Sequence, residues 1–127
     1  MTKRPGLAKS ELEVAQIVWR LGKASVRQVL DALPAKRNLD FKTVQTYLRR
    51  LEAKGYLRTR MEGRSKIYFP QVRPDQVIRE VLNDLVHRLF GGDSIPVFQH
   101  LIQDRGLTKE EVGQLRTMLD QAEEKQP

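Results

Sequence analysis

Cysteine is absent from the 127 residues, which excludes a disulfide framework, a thiolate nucleophile and any cysteine-bound zinc or iron–sulfur centre. That absence fits a cytoplasmic protein. No apolar run approaches the roughly 18–20 residues that span a bilayer. The basic start Met1-Thr2-Lys3-Arg4-Pro5-Gly6 is followed by no apolar stretch of the signal-peptide type. A soluble protein without membrane insertion is therefore expected. There is no Gly-rich phosphate loop, no nucleophile elbow and no cluster of carboxylates. Neither enzyme activity nor a cofactor is expected. Only two histidines occur; His87 lies three positions after Asp84 and His100 four before Asp104. Two imidazoles without Cys make a poor metal site, so they are read as surface or interface residues.

What is present is positive charge, unevenly placed. The chain carries a net +7, but residues 1–73 hold 17 Lys/Arg against 6 Asp/Glu, whereas residues 74–127 hold 6 against 10. One part is suited to a polyanion and the other is not. The reversal falls at a linker bracketed by Pro70 and Pro74, which sets expected domains at 1–72 and 73–127. A core from so short a chain is modest and often gains buried area from a second subunit.

Periodicity predicts a first helix over about 8–21, with Leu12, Ala15 and Trp19 on one seam and Val14, Val18 and Leu21 widening it. Ser10 with Glu13 fits a capping box, though Ala8 or Lys9 could equally mark the start. Trp19 is assigned to the core. A second helix starts at Ser25, paired with Gln28, and carries Val26, Val29, Leu30 and Leu33 before Pro34 stops it. In the third, about 41–54 with Asp40 as cap, Val44, Tyr47, Leu48 and Leu51 fall within one arc. The opposite arc holds Lys42, Thr43, Gln45, Thr46, Arg49 and Arg50. Strand-like segments 56–61 and 66–69 follow, joined by Glu62-Gly63-Arg64-Ser65, with Leu57 and Met61 on one face and Arg58 and Arg60 on the other. The remainder reads as helical: 74–90, about 95–103, and a last helix capped by Thr108 with Glu111.

The resulting fold class is mostly α with a small β-hairpin: a winged helix-turn-helix domain followed by a C-terminal helical dimerisation domain. In such a domain the third helix enters the DNA major groove. Lys42, Thr43, Gln45 and Thr46 are the candidate base readers, because Thr, Gln and Lys offer the donors, acceptors and methyl that base edges recognise. Arg49 and Arg50, with Arg58, Arg60, Arg64 and Lys66 of the hairpin, are candidates for the phosphate backbone. The dimer seam is assigned to Val77, Val81, Leu85 and Leu89 together with Val112, Leu115 and Leu119.

The runs LAKSELEVAQIVW (7–19), KTVQTYLRRLEAKGYL (42–57) and GRSKIYFP (63–70), with LFGGD (89–93) and LTKEEVGQLRTMLD (107–120), resemble the penicillinase-repressor family of BlaI and MecI. The resemblance implies a homodimeric transcriptional repressor on a palindromic double-stranded DNA operator. It implies contacts from Lys42, Thr43 and Thr46 with wing support, and relief through a membrane sensor-metalloprotease pathway. Some family members are cut at an Asn-Phe bond where this chain has His100-Leu101, and a copper-sensing branch carries a C-terminal cysteine cluster that is absent here. Two alternatives stand beside this reading: a winged-helix regulator controlled by a directly bound small effector, and a protein-interaction winged helix without DNA.

Overall fold

The computed structural model describes residues 4–126, which form six α-helices and one antiparallel hairpin. They fall into two compact units that divide after Arg79. The first unit contains α1 (Lys9–Leu21), α2 (Val26–Ala32), a 3₁₀ turn (Ala35–Arg37), α3 (Phe41–Ala53), β1 (Leu57–Glu62) and β2 (Ser65–Pro70). This order, three helices and then a wing, is the winged helix-turn-helix.

Amphipathic spacing builds the core. Val14, Ala15, Ile17 and Val18 of α1, Val26 and Val29 of α2, and Val44, Leu48 and Leu51 of α3 are buried in one cluster with Leu57 and Tyr68 of the hairpin. Leu12 and Trp19 are only half-buried, and Trp19 packs on the margin of this cluster. Leu21, expected on the buried seam, is instead 46% exposed. It is the last residue of α1, and at Gly22 the backbone turns away with φ 84°, a conformation glycine adopts without a Cβ clash.

Caps set where the helices begin. Ser25 accepts the Gln28 backbone N–H at 3.2 Å, and the Gln28 side chain accepts the Ser25 N–H at 2.9 Å, as its spacing predicts. At α1 the start is Ala8, whose N–H donates to Glu11 at 2.8 Å; the Ser10–Glu13 box does not form. Glu13 instead accepts from Arg37 at 2.8 Å.

The hairpin pairs Leu57 with Pro70 through to Glu62 with Ser65, so the loop is two residues and tighter than the four expected. Gly63, at φ 62°, supplies the positive dihedral that the first position of such a turn requires. A further bridge joins Ala24 to Tyr68, with N–H···O distances of 3.0 and 2.8 Å. The turn between α1 and α2 thereby lies against β2.

The boundary expected before Pro74 falls instead inside α4 (Pro74–Phe90). Val77 is the reason: it is 1% exposed within the first unit's core, which takes the opening turn of α4 into that unit. Val77 is therefore unavailable to a dimer seam. The second unit continues α4 and adds α5 (Ile95–Arg105) and α6 (Lys109–Glu124), the last capped by Thr108 and Glu111 as expected. Its Val81, Leu85, Leu89 and Leu119 are exposed, while Val112 and Leu115 are half-buried. Asp84 pairs with Arg88 rather than His87, and His100 faces Asp104 at 3.4 Å.

One buried charge organises the start of the first unit. Glu11 is 2% exposed and accepts from Lys54 at 2.6 Å, while the same ammonium donates to the Gly6 carbonyl at 2.9 Å. Burial opposes ionisation of Glu11, but the Lys54 hydrogen bond, the Ala8 N–H and the charges of Lys54 and Arg50 outweigh it. The carboxyl titrates below its ordinary 4.5. A depressed carboxylate contributes stability above its unfolded pKa and loses it as pH falls through the folded one. Glu11→Gln keeps an acceptor for Ala8 but strips Lys54 of its counter-charge. It should destabilise by about 1–3 kcal/mol at pH 7, with the gap to the parent closing under acid. Thermal melts at neutral pH and near pH 3 check this; a gap of equal size at both would refute it.

Candidate nucleic-acid interface

α3 is held by its apolar flank, since Val44, Leu48 and Leu51 are each fully buried. That orientation turns the opposite flank to solvent. Lys42, Gln45, Thr46 and Arg49 fall there at i, i+3, i+4 and i+7, one continuous stripe along the helix. Lys42 and Arg49 are exposed, while Thr43, Gln45 and Thr46 are half-buried. None is sealed beneath the rest of the chain.

The first turn is set by Asp40, which accepts the Thr43 backbone N–H at 2.8 Å. Hydrogen bonds from the Thr43 side chain and backbone hold the Asp40 carboxyl below its ordinary value. Thr46 donates its hydroxyl to the Lys42 carbonyl at 3.0 Å. Its proton is thus engaged inside the helix, and the oxygen lone pairs and methyl are what it presents outward. Arg50 lies 6.0 Å from the centre of the Tyr47 ring, at the edge of the stripe.

The wing's cations are not equivalent, a distinction the sequence did not reveal. Arg58 and Arg60 both lie over the Phe69 ring, at 4.9 and 4.7 Å from its centre, and Lys23 approaches the same ring at 6.0 Å. Glu62 receives Lys23 at 3.1 Å and Arg60 at 3.2 Å, and the Lys23 bond, then Arg60, holds its carboxyl below the ordinary value. Lys66 faces Glu52 of α3 at 3.6 Å. By contrast Arg64 in the turn, like Lys42 and Arg49 on α3, forms no salt bridge among the described residues, though the charge of Lys42 reaches the Asp40 carboxyl. Arg64, Lys42 and Arg49 are thereby available to an external polyanion.

Sequence reading missed Lys23, Glu52, Glu62 and Phe69. Lys23 lies far from the hairpin along the chain and reaches it only through the Ala24–Tyr68 bridge. No local pattern carries that proximity. Glu52 had a weak signal, as the lone acid on a helix otherwise cationic on its polar side. Among the described residues no three His, Asp or Glu gather as metal ligands would. No helix there is long and apolar enough to cross a membrane.

The penicillinase repressor family model matches residues 7–121, from the start of the first unit almost to the end of α6. The chain belongs to the penicillinase repressor family. The penicillinase repressor of Bacillus licheniformis is 27% identical over 121 residues, covering 95% of this chain and 94% of that protein. The solution structure of the DNA-binding domain of the repressor BlaI superposes with a TM-score of 0.51 at 34% identity, over 58% of this chain and 90% of that domain. The Bacillus licheniformis BlaI monomeric form in complex with the blaP half-operator gives a TM-score of 0.50 at 33% identity, over 59% and 92%. The family is one of transcriptional repressors rather than enzymes.

In this repressor the Asp40 cap should govern the order of the turn that carries Lys42 and Thr43. Asp40→Ala removes the acceptor for the Thr43 N–H. Amide hydrogen exchange at residues 41–43 should quicken while exchange at Val44–Leu51 stays close to that of the parent. Unchanged exchange at 41–43 would show that the cap does not order this turn.

Proposed function

We propose that this DNA-binding repressor acts as a homodimer on a palindromic operator, reading bases through Lys42, Thr43, Gln45 and Thr46. Arg49, Arg50, Arg58 and Arg64 hold the phosphate backbone, and among the described residues no salt bridge competes for any of the four. Arg60 and Lys66 contribute only as far as phosphate displaces Glu62 and Glu52. The observation that carries the reading is the solvent-facing stripe of α3, free of acid at Lys42, Gln45, Thr46 and Arg49 and flanked by an unpaired arginine at the wing turn. A protein-interaction role would favour acidic or apolar residues on that stripe, and it has neither.

Dimerisation is supported by what the second unit leaves uncovered. Leu89 and Leu119 are 69% and 67% exposed, with Val81, Leu85, Phe98 and Met118 also open to solvent. An apolar groove between α5 and α6 is lined by Phe98, Leu101, Ile102, Leu115 and Met118. So many large apolar side chains on so small a unit mark a protein contact. A second copy, bringing the same α4 and α6 faces, covers them isologously, and half-sites then lie about one DNA turn or a small multiple apart. Relief through a membrane sensor-metalloprotease pathway is proposed from family membership. His100 and Leu101 are exposed but lie inside α5, so cutting there requires that helix to open first.

Selection of bound duplexes from random-sequence DNA should yield one inverted repeat. Lys42→Ala and Thr46→Ala should each cost about 1–3 kcal/mol at one base position and relax preference there. Arg64→Ala should weaken all duplexes alike and reduce the salt slope by about 1. Titrations by fluorescence anisotropy separate the two classes, and identical behaviour on selected and random DNA would overturn the assignment of reader and wing.

Leu85→Asp places a charge on the uncovered α4 face and should convert the dimer to monomer in sedimentation. Operator affinity should then drop far more than half-site affinity. A parent protein that sediments as a monomer at micromolar concentration and above would refute the homodimer.

A further inference from the structure

A two-stranded ribbon has little stability by itself; Leu57, Tyr68 and the Ala24 bridge seat this one against the helices, and polar ties refine that seating. In this wing, each face of the ribbon is tied by a carboxylate. From α3, Glu52 accepts the Thr59 hydroxyl at 2.7 Å through one oxygen, and its other oxygen faces the Lys66 ammonium at 3.6 Å. Thr59 belongs to β1 and Lys66 to β2; their ladder partners are Tyr68 and Met61, so both side chains lie on the same face. On the opposite face Glu62 joins Arg60 to Lys23 of the α1–α2 turn. Among the polar contacts of the described residues, the Glu52 tie joins the recognition helix to both strands, beside the apolar packing of α3 on Leu57 and Tyr68.

A carboxylate on a helix that approaches phosphates is electrostatically unfavourable there. Its retention next to the cationic stripe calls for a function other than attraction to DNA. We propose that Glu52 is a positioning residue, setting the angle of the wing against α3 and withholding Lys66 from phosphate, so that affinity for any DNA is lowered and discrimination is raised. This rests on the DNA-binding reading above. Thr59 supplies the geometry, through a short hydrogen bond from a neutral hydroxyl to the carboxylate. Lys66 supplies the electrostatics, shared between Glu52 and an incoming phosphate.

The two contributions separate by substitution. Glu52→Gln keeps an acceptor for the Thr59 hydroxyl and removes the charge. Lys66 is released, affinity for selected and random duplexes rises several-fold alike, and the salt slope steepens by about 0.9, one additional neutralised phosphate. Glu52→Ala removes both functions, so the ratio of selected to random affinity falls by about tenfold while the slope steepens as in the Gln variant. Anisotropy titrations of the full chain between 50 and 200 mM salt, about the range over which the electrostatic slope is read, use the duplex that the parent enriches and a scrambled duplex of equal length.

Equal affinity ratios in the Ala and Gln variants would show that Glu52 acts through charge alone and would overturn the positioning role. Parent-like slopes in both would overturn the withholding of Lys66. Should either variant lose its helical circular dichroism, Thr59→Val, which removes only the hydroxyl, carries the geometric test. Its ratio should fall as in Glu52→Ala, and an unchanged ratio overturns the proposal. A parent chain that enriches no duplex would refute the DNA reading itself, and this proposal with it. A parent that enriches one while the variants match it refutes the Glu52 role alone.

Discussion

The burial of the α3 flank formed by Val44, Leu48 and Leu51 is the constraint on which the rest of the first unit depends. These three side chains, fully removed from solvent, fix the rotation of α3 about its own axis. With that rotation fixed, the stripe Lys42, Gln45, Thr46 and Arg49 has only one direction to face. The proposed recognition surface is in this sense the back of the core. Losing methylenes from the core leaves cavities whose cost varies with the collapse around them. The same loss would also let α3 rotate and degrade the aim of side chains that never touch the core.

Around that axis the unit is tied by polar contacts between elements distant in sequence. Lys54, just past the end of α3, holds Glu11 of α1 and the Gly6 carbonyl, and Tyr56 donates to the Pro5 carbonyl at 2.7 Å. The chain before α1 is thereby fastened to the end of α3. The Ala24–Tyr68 bridge fastens the α1–α2 turn to the wing, and Glu52 and Glu62 tie opposite faces of that wing. Most of these ion pairs are solvent-exposed and contribute little to stability individually. Their effect is on orientation, which matters where a few ångströms decide whether a guanidinium meets a phosphate.

The cations therefore fall into two groups that net charge does not distinguish. Lys42, Arg49 and Arg64 stand in no salt bridge among the described residues, although Asp40 lies near enough to Lys42 to feel its charge. Arg60, Lys66 and Lys23 carry charge already shared with carboxylates. An exposed pair can exchange its carboxylate for phosphate, but the exchange returns less than contact by an unpaired cation. The second unit differs in kind. It is acidic overall, and its uncovered surface is apolar at Leu89, Leu119, Phe98 and Met118. The proposed division of labour, one part for a polyanion and one for a hydrophobic partner, follows this difference in surface.

Much of this was legible in the residues alone. Helix positions, the Ser25 and Thr108 boxes, the Asp40 cap and the polarity of α3 follow from local rules: a 3.6-residue period, a short polar side chain before a helix, a glycine after it. Those rules act within a few residues, so they survive without knowledge of the fold. What required tertiary structure was long-range or competitive. Glu11 rather than Glu13 caps α1 because Lys54, forty-three positions away, makes a buried site for it. Val77 belongs to the core rather than to a seam because the first unit closes over it, and periodicity reports only that a residue is apolar, never which surface will bury it. Lys66 and Lys23 are paired because the hairpin lies back against α3 and the α1–α2 turn. Sequence assigned each side chain its chemistry; the fold decided which neighbours would compete for it.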